Sequence, residues 1–102
     1  MDNRFDLLER KYAMFILNEL GKLNDGESLS KKELQHRGGD EDTRTKLSRI
    51  NEMIEAELIE VDKGNNKYNI SKLSLTEKGK KIAKILSILE DLLPDEEIKR
   101  RY

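Results

Sequence analysis

The sequence holds 102 residues, no cysteine, and 20 Lys and Arg against 21 Asp and Glu. That excludes disulfides, thiolate metal sites and thiol redox sensing, and the balanced charge argues against coating a polyanion by bulk attraction. The length is that of one domain with a modest core. The longest apolar run, Ala13 to Leu17, is too short to cross a bilayer, and no basic-then-apolar leader pattern opens the chain, so a cytoplasmic protein is expected.

Phe5 to Leu23 reads as one helix. Phe5, Leu8, Tyr12 and Phe15 recur at spacings of three and four, while Ala13, Ile16, Leu17 and Leu20 form a second apolar set on another side. A surface helix needs one stripe, so this one is expected to be covered twice. Gly21 and Asn24-Asp25-Gly26 end it with turn chemistry. Glu27 to Leu29 is expected to be a brief strand. Ser30-Lys-Lys-Glu33 is a capping-box pattern, and Gly38-Gly39 keeps the helix it opens short. Asp40 or Asp42 is expected to cap the next helix, which meets no breaker until Gly64 and buries Leu47, Ile50, Met53, Ile54 and Leu58. Two helices meeting across Gly38-Gly39-Asp40 make a helix-turn-helix pattern.

After Leu58 the period becomes two: Ile59 and Val61, then Lys63-Gly-Asn-Asn-Lys67, then Tyr68 and Ile70. This reads as a hairpin. Leu73 and Leu75 fall out of phase with Tyr68 and Ile70, which implies either a bulge near Ser71-Lys72 or a longer loop. From Thr76 a last helix runs to about Leu93 and is stopped by Pro94. Its apolar residues, Ile82 to Leu93, cover an arc of roughly 160°, wider than the usual stripe of about 100°. Thr76 can cap this helix. Gly79, at its third position, costs about 1 kcal/mol in propensity, which close approach of a neighbouring backbone would offset. Residues 1–93 are expected to form a single domain and 94–102 a charged tail.

Leu73-Ser-Leu-Thr-Glu-Lys-Gly-Lys80 resembles the strand-to-helix junction of prokaryotic winged helix-turn-helix regulators. Ile50 to Ile59 is similar to the end of their recognition helix and the start of the wing. Leu8 to Leu17 resembles the first helix of the HxlR-like branch, with MarR-like and PadR-like groups as near relatives. The resemblance spans roughly Leu7 to Leu93. It departs at Glu57, where those regulators usually have glycine, and in the wing, where a short Gly-Asn-Asn turn replaces a basic, proline-containing one. The implied fold is α+β and mostly helical: a three-helix core with a β-hairpin wing and a C-terminal dimerisation helix.

With Ile50 facing the core, Arg44, Thr45, Ser48 and Asn51 point away and Arg49 lies on a flank. Arg suits guanine edges, Asn adenine, and Thr or Ser either. Lys31, Lys32 and Arg37 before this helix, and Lys63, Asn65, Asn66 and Lys67 on the hairpin, are candidates for phosphate and wing contacts on double-stranded DNA. Ser30 to Asn51 carries six basic and four acidic residues, a local positive excess. Against it, Asp40, Glu41 and Asp42 crowd the start of the reading helix, where they complement the helix N-terminus but repel phosphate.

His36, the single histidine, cannot assemble a zinc site without cysteine. No nucleotide-binding glycine motif or catalytic order of Ser, His and Asp stands out, so neither an enzyme nor a cofactor or metal is expected. The terminal helices hold more apolar surface than one small core covers. The resemblance implies a homodimer through them, with Phe5, Leu8, Tyr12, Ile85, Ile88, Leu89 and Leu92 at the interface. The rival reading is a winged-helix module that binds protein rather than DNA.

Overall fold

The computed structural model describes residues 3–62 and 71–94. Along the chain run α1 (Asp6–Glu9), α2 (Ala13–Gly21), β1 (Leu29–Ser30), α3 (Lys31–Gln35), α4 (Thr43–Glu55), β2 (Ile59–Asp62), β3 (Lys72–Leu75) and α5 (Glu77–Leu92). The strands form one antiparallel sheet in the order β1-β3-β2.

The single first helix expected over Phe5–Leu23 is two helices. Tyr12 adopts a left-handed backbone, φ 71°, which costs a residue with a Cβ about 1–2 kcal/mol. Contacts to α4 hold the break open. Arg10 pairs with Asp6 and Glu52, the Lys11 carbonyl accepts Arg49 Nε at 2.9 Å, and the Tyr12 hydroxyl donates to Asp42 at 2.5 Å. Ala13, Ile16, Leu17 and Leu20 are the buried face of α2, while of the other set Leu8, Tyr12 and Phe15 pack partly buried against the same core and Phe5 is exposed.

The short strand lies at Leu29–Ser30 rather than Glu27–Leu29, because Ser30 both ends the strand and caps α3. The capping box is complete: Ser30 Oγ accepts the Glu33 N–H and Glu33 Oε1 accepts the Ser30 N–H, each at 3.0 Å. α4 differs from expectation at its start. Asp42 occupies the cap position in a left-handed conformation, φ 54°, and its side chain makes no cap bond. The stripe of α4 that reaches the core is Lys46, Ile50 and Met53. Leu47 and Ile54, expected beside Ile50, are half-buried on its flank.

α4 ends in a Schellman turn, with Leu58 N–H to the Met53 carbonyl and Glu57 N–H to the Ile54 carbonyl, both 3.0 Å. Glu57, at the residue where the resembling regulators carry glycine, has φ 63°. The position demands a left-handed backbone, and this chain fills it with a glutamate.

β2 pairs with β3 so that Ile59 stands opposite Leu75 and Asp62 opposite Lys72, while Leu73 of β3 also faces Leu29 of β1. The turn expected at Lys63–Lys67, the strand residues Tyr68 and Ile70, and the tail from Asp95 lie outside the described residues. β3 then turns straight into α5. Thr76 caps it, with the Gly79 N–H donating to Oγ1 at 3.0 Å, and the same hydroxyl donates to the Glu57 carbonyl at 2.7 Å. The Thr76 N–H donates to the Leu58 carbonyl at 3.1 Å. The first turn of α5 is therefore clasped to the end of α4. Gly79 is the contact point: a Cβ there would stand 2.1 Å from the Leu58 carbonyl oxygen.

Ile16, Leu17, Leu34, Ile50, Met53, Ile59 and Leu73 are fully buried at the centre, each contributing about 1.5–3 kcal/mol of transfer free energy. α5 lies against α2, where Ala83 faces Gly21 and Glu90 accepts from Asn18 at 2.8 Å. Among the described residues no helix is long and apolar enough to cross a membrane.

Candidate nucleic-acid interface

The turn between α3 and α4 is built by glycines and one buried lysine. Gly38 and Gly39 both have positive φ, 78° and 117°, which residues without a side chain adopt at no steric cost. A Cβ at Gly38 would also lie 2.9 Å from the Phe15 ring. Beneath the turn, Lys46 is 2 % exposed. Its ammonium donates to the Arg37 carbonyl at 2.8 Å and the Gly39 carbonyl at 3.0 Å, and lies 5.3 Å from the centre of the Tyr12 ring. Gln35 Nε2 adds a bond to the Thr43 carbonyl at 3.0 Å. These bonds fix the angle at which α4 leaves the turn.

The three acids at that entry are largely occupied. Asp40 pairs with His36 Nδ1 at 2.7 Å. Asp42 accepts from the Tyr12 hydroxyl and from Lys11 Nζ at 3.0 Å. The Tyr12 hydrogen bond, then the Lys11 ion pair, hold its carboxyl below the usual range, while the same bond raises the Tyr12 phenol. Glu41 has no partner among the described residues. Asp40 and Asp42 thus tie the entry of α4 back to the end of α3 and to the α1–α2 joint, and neither side chain caps the helix.

Arg44, Ser48 and Asn51 are exposed on α4 and Thr45 is half-buried. The first three recur at i, i+4 and i+7, one line along the helix, which Glu55 continues. Lys31 reaches this line, its Nζ 3.1 Å from Asn51 Oδ1. Lys32 and Arg37 are exposed on the α3 side. Arg49 lies on the flank, as expected, but its guanidinium is spent on the Lys11 carbonyl and on Glu52, leaving 13 % of the side chain exposed. It fastens α4 to the α1–α2 joint. Lys63, Asn65, Asn66 and Lys67 lie outside the described residues.

The side chains expected at a dimer interface divide into two groups. Ile85, Ile88, Leu89 and Leu92 are exposed on α5, as is Phe5. Leu8 and Tyr12 pack against the core of their own chain, because the break after α1 turns them inward, and the Tyr12 hydroxyl is taken by Asp42. Met14 and Leu93 are further exposed apolar residues; Leu93 belongs to the apolar arc read from the sequence, though not to the expected interface set, and Met14 to neither.

Lys46 is the residue that sequence reading missed. A lysine is expected at the surface, and the signal that could have placed it was its spacing of four and seven from Ile50 and Met53.

This geometry matches a solved structure along nearly its whole length. A possible HxlR family transcriptional factor from Thermoplasma volcanium GSS1 superposes with a TM-score of 0.74 at 24% sequence identity, over 99% of this chain and 84% of that one. The fold is a winged helix-turn-helix. In winged-helix terms, α2, α3 and α4 are the three-helix core, β2 and β3 the wing, and α5 the added C-terminal helix. No protein-family model matches the sequence, and neither does any curated protein sequence.

Proposed function

We propose that this chain is a DNA-binding transcriptional regulator that lays α4 in the major groove and its wing along the sugar-phosphate backbone. The observation that carries the reading is the solvent-facing line of Arg44, Ser48 and Asn51 on a helix whose entry angle is locked by Lys46. From Arg44 to Asn51 a helix rises about 10 Å, the length of roughly three base pairs at about 3.4 Å each. Thr45 contributes from the flank. Lys32 and Arg37 meet phosphates beside it, Lys31 reaches the line itself through Asn51, and Lys63, Asn65, Asn66 and Lys67 are assigned to the wing from sequence alone. Likeness of fold to the Thermoplasma volcanium factor supports the same class of function.

The functional unit in this reading is a cytoplasmic homodimer of one domain, residues 1–93, joined through α5. Five large apolar side chains from Ile85 to Leu93 are about half or more exposed, and covering them recovers about 1.5–3 kcal/mol each. Two reading heads would then meet half-sites about one helical turn apart. No catalytic residue, metal or cofactor enters this account.

Fluorescence anisotropy with a labelled duplex, selected from a random pool, tests the proposal across a salt series. With about four phosphate contacts per protomer, log Kd should change with log salt with a slope of about 3 or more. Glu55 on the reading line and Glu41 at its entry, both exposed, favour the rival reading of a protein-binding module. Absence of duplex binding at low salt by a natively folded protein would select that rival.

A further inference from the structure

We infer that Lys31 is a specificity-positioning residue: by holding Asn51 it turns that step of α4 toward guanine and away from adenine. The inference rests on the DNA-binding reading above and deepens it. An unencumbered asparagine offers one acceptor and one donor, the pattern that matches adenine N6 and N7. Here Lys31 Nζ donates to Asn51 Oδ1 at 3.1 Å, which occupies one of the two lone pairs of that oxygen. The ammonium also sets a positive charge beside the remaining lone pair, where the adenine amino group would have to donate.

What the pair still presents is donors. Asn51 keeps both N–H bonds of its amide, and the ammonium keeps two of its three. Guanine answers with two acceptors in the major groove, N7 and O6, whereas adenine answers with one acceptor and one donor. Lys31 is half-buried at the first position of α3, so its backbone is anchored by the Ser30–Glu33 capping box. The lysine thus reaches Asn51 from a fixed point, on an element that does not itself enter the groove.

Selection from a random duplex pool, run in parallel on the wild type, N51A and K31M, tests the inference. N51A marks the base pair that Asn51 reads, because preference relaxes there. The wild type should favour guanine over adenine at that pair by roughly 5- to 150-fold, the range of one bidentate contact, and K31M should reverse the order toward adenine. In the DNA-free protein, K31M should move the Asn51 side-chain amide resonances while far-UV circular dichroism stays unchanged. An adenine preference in the wild type, or an unaltered guanine preference in K31M, would overturn the inference and leave DNA binding standing. Failure of the wild type to select any duplex would remove the DNA-binding reading itself, and this inference with it.

Discussion

Gly79→Ala is the substitution with the most calculable consequence. The new methyl would lie 2.1 Å from the Leu58 carbonyl oxygen and 3.1 Å from both the Leu58 carbonyl carbon and a Leu75 methyl. Carbon and oxygen in close but allowed contact sit about 3.3 Å apart, so the first turn of α5 must withdraw by about 1 Å. The obstacle is backbone and cannot swing aside. Withdrawal stretches two bonds of the clasp, Thr76 N–H to the Leu58 carbonyl and Thr76 Oγ1 to the Glu57 carbonyl, each worth about 1 kcal/mol. Overpacking adds about 1–3 kcal/mol, and the better helix propensity of alanine returns about 1 kcal/mol. The net loss is about 2–4 kcal/mol, which for a domain of this size lowers Tm by roughly 10–25 °C. Urea and thermal unfolding followed by far-UV circular dichroism, at one fixed protein concentration, measure it. The double variant T76A/G79A should lose less than the sum of its parts, because both changes break the same clasp. A G79A protein as stable as the wild type would refute the reasoning.

Three further outcomes follow from named contacts. Glu57→Gly should stabilise the protein by about 0.5–1 kcal/mol in urea unfolding, since glycine relieves the left-handed strain and the exposed Lys78–Glu57 pair at 3.9 Å contributes little. Lys46→Met should cost about 2 kcal/mol by leaving the Arg37 and Gly39 carbonyls without their donor; the same unfolding experiment reads it, and an unchanged midpoint would contradict the buried role. The third concerns pH. The Asp42 carboxyl is held below its usual range by Tyr12 and Lys11, so its contribution is complete above the unfolded carboxyl pKa and is lost as pH falls through the lower folded value. The Tyr12 phenol is raised, chiefly by the bond to Asp42, so its contribution is complete below the unfolded phenol pKa and is lost as pH rises through the higher folded one. Tyr12→Phe should therefore flatten both the acid and the alkaline limbs of stability against pH, whereas Asp42→Asn should flatten the acid limb and bring the Tyr12 phenol back toward its ordinary value.

Local chemistry made much of this fold readable. Ser30 and Glu33 announce a capping box because the pattern needs only neighbours, and Thr76 with Gly79 announces a capped helix start under close backbone contact, although the carbonyl it meets, that of Leu58, lies far back in the chain at the end of α4. The Glu57 departure from glycine points to a backbone constraint that φ makes visible. Long-range contacts were less accessible. The joint at Arg10–Tyr12 is invisible to periodicity, because it is made by Asp42, Arg49 and Glu52, which lie far along the chain. Lys46 and Arg49 carry charge, and a rule that sends charge outward cannot foresee an ammonium that caps a turn or a guanidinium that fastens two helices. Of the two cap candidates, Asp40 and Asp42, it is Asp42 that stands at the helix start, but its side chain answers to Tyr12 rather than to the helix.

A regulator's function in this fold requires the outer line of α4 to meet duplex DNA. Titrating a selected duplex into 15N-labelled protein reads that directly, residue by residue. The amides of Lys31 to Arg37 and Arg44 to Asn51 should shift or broaden first, with α5 following only through global tumbling. Perturbations centred on Ile85 to Leu93, or none at a duplex excess in low salt, would mean that the helix-turn-helix face serves some other partner.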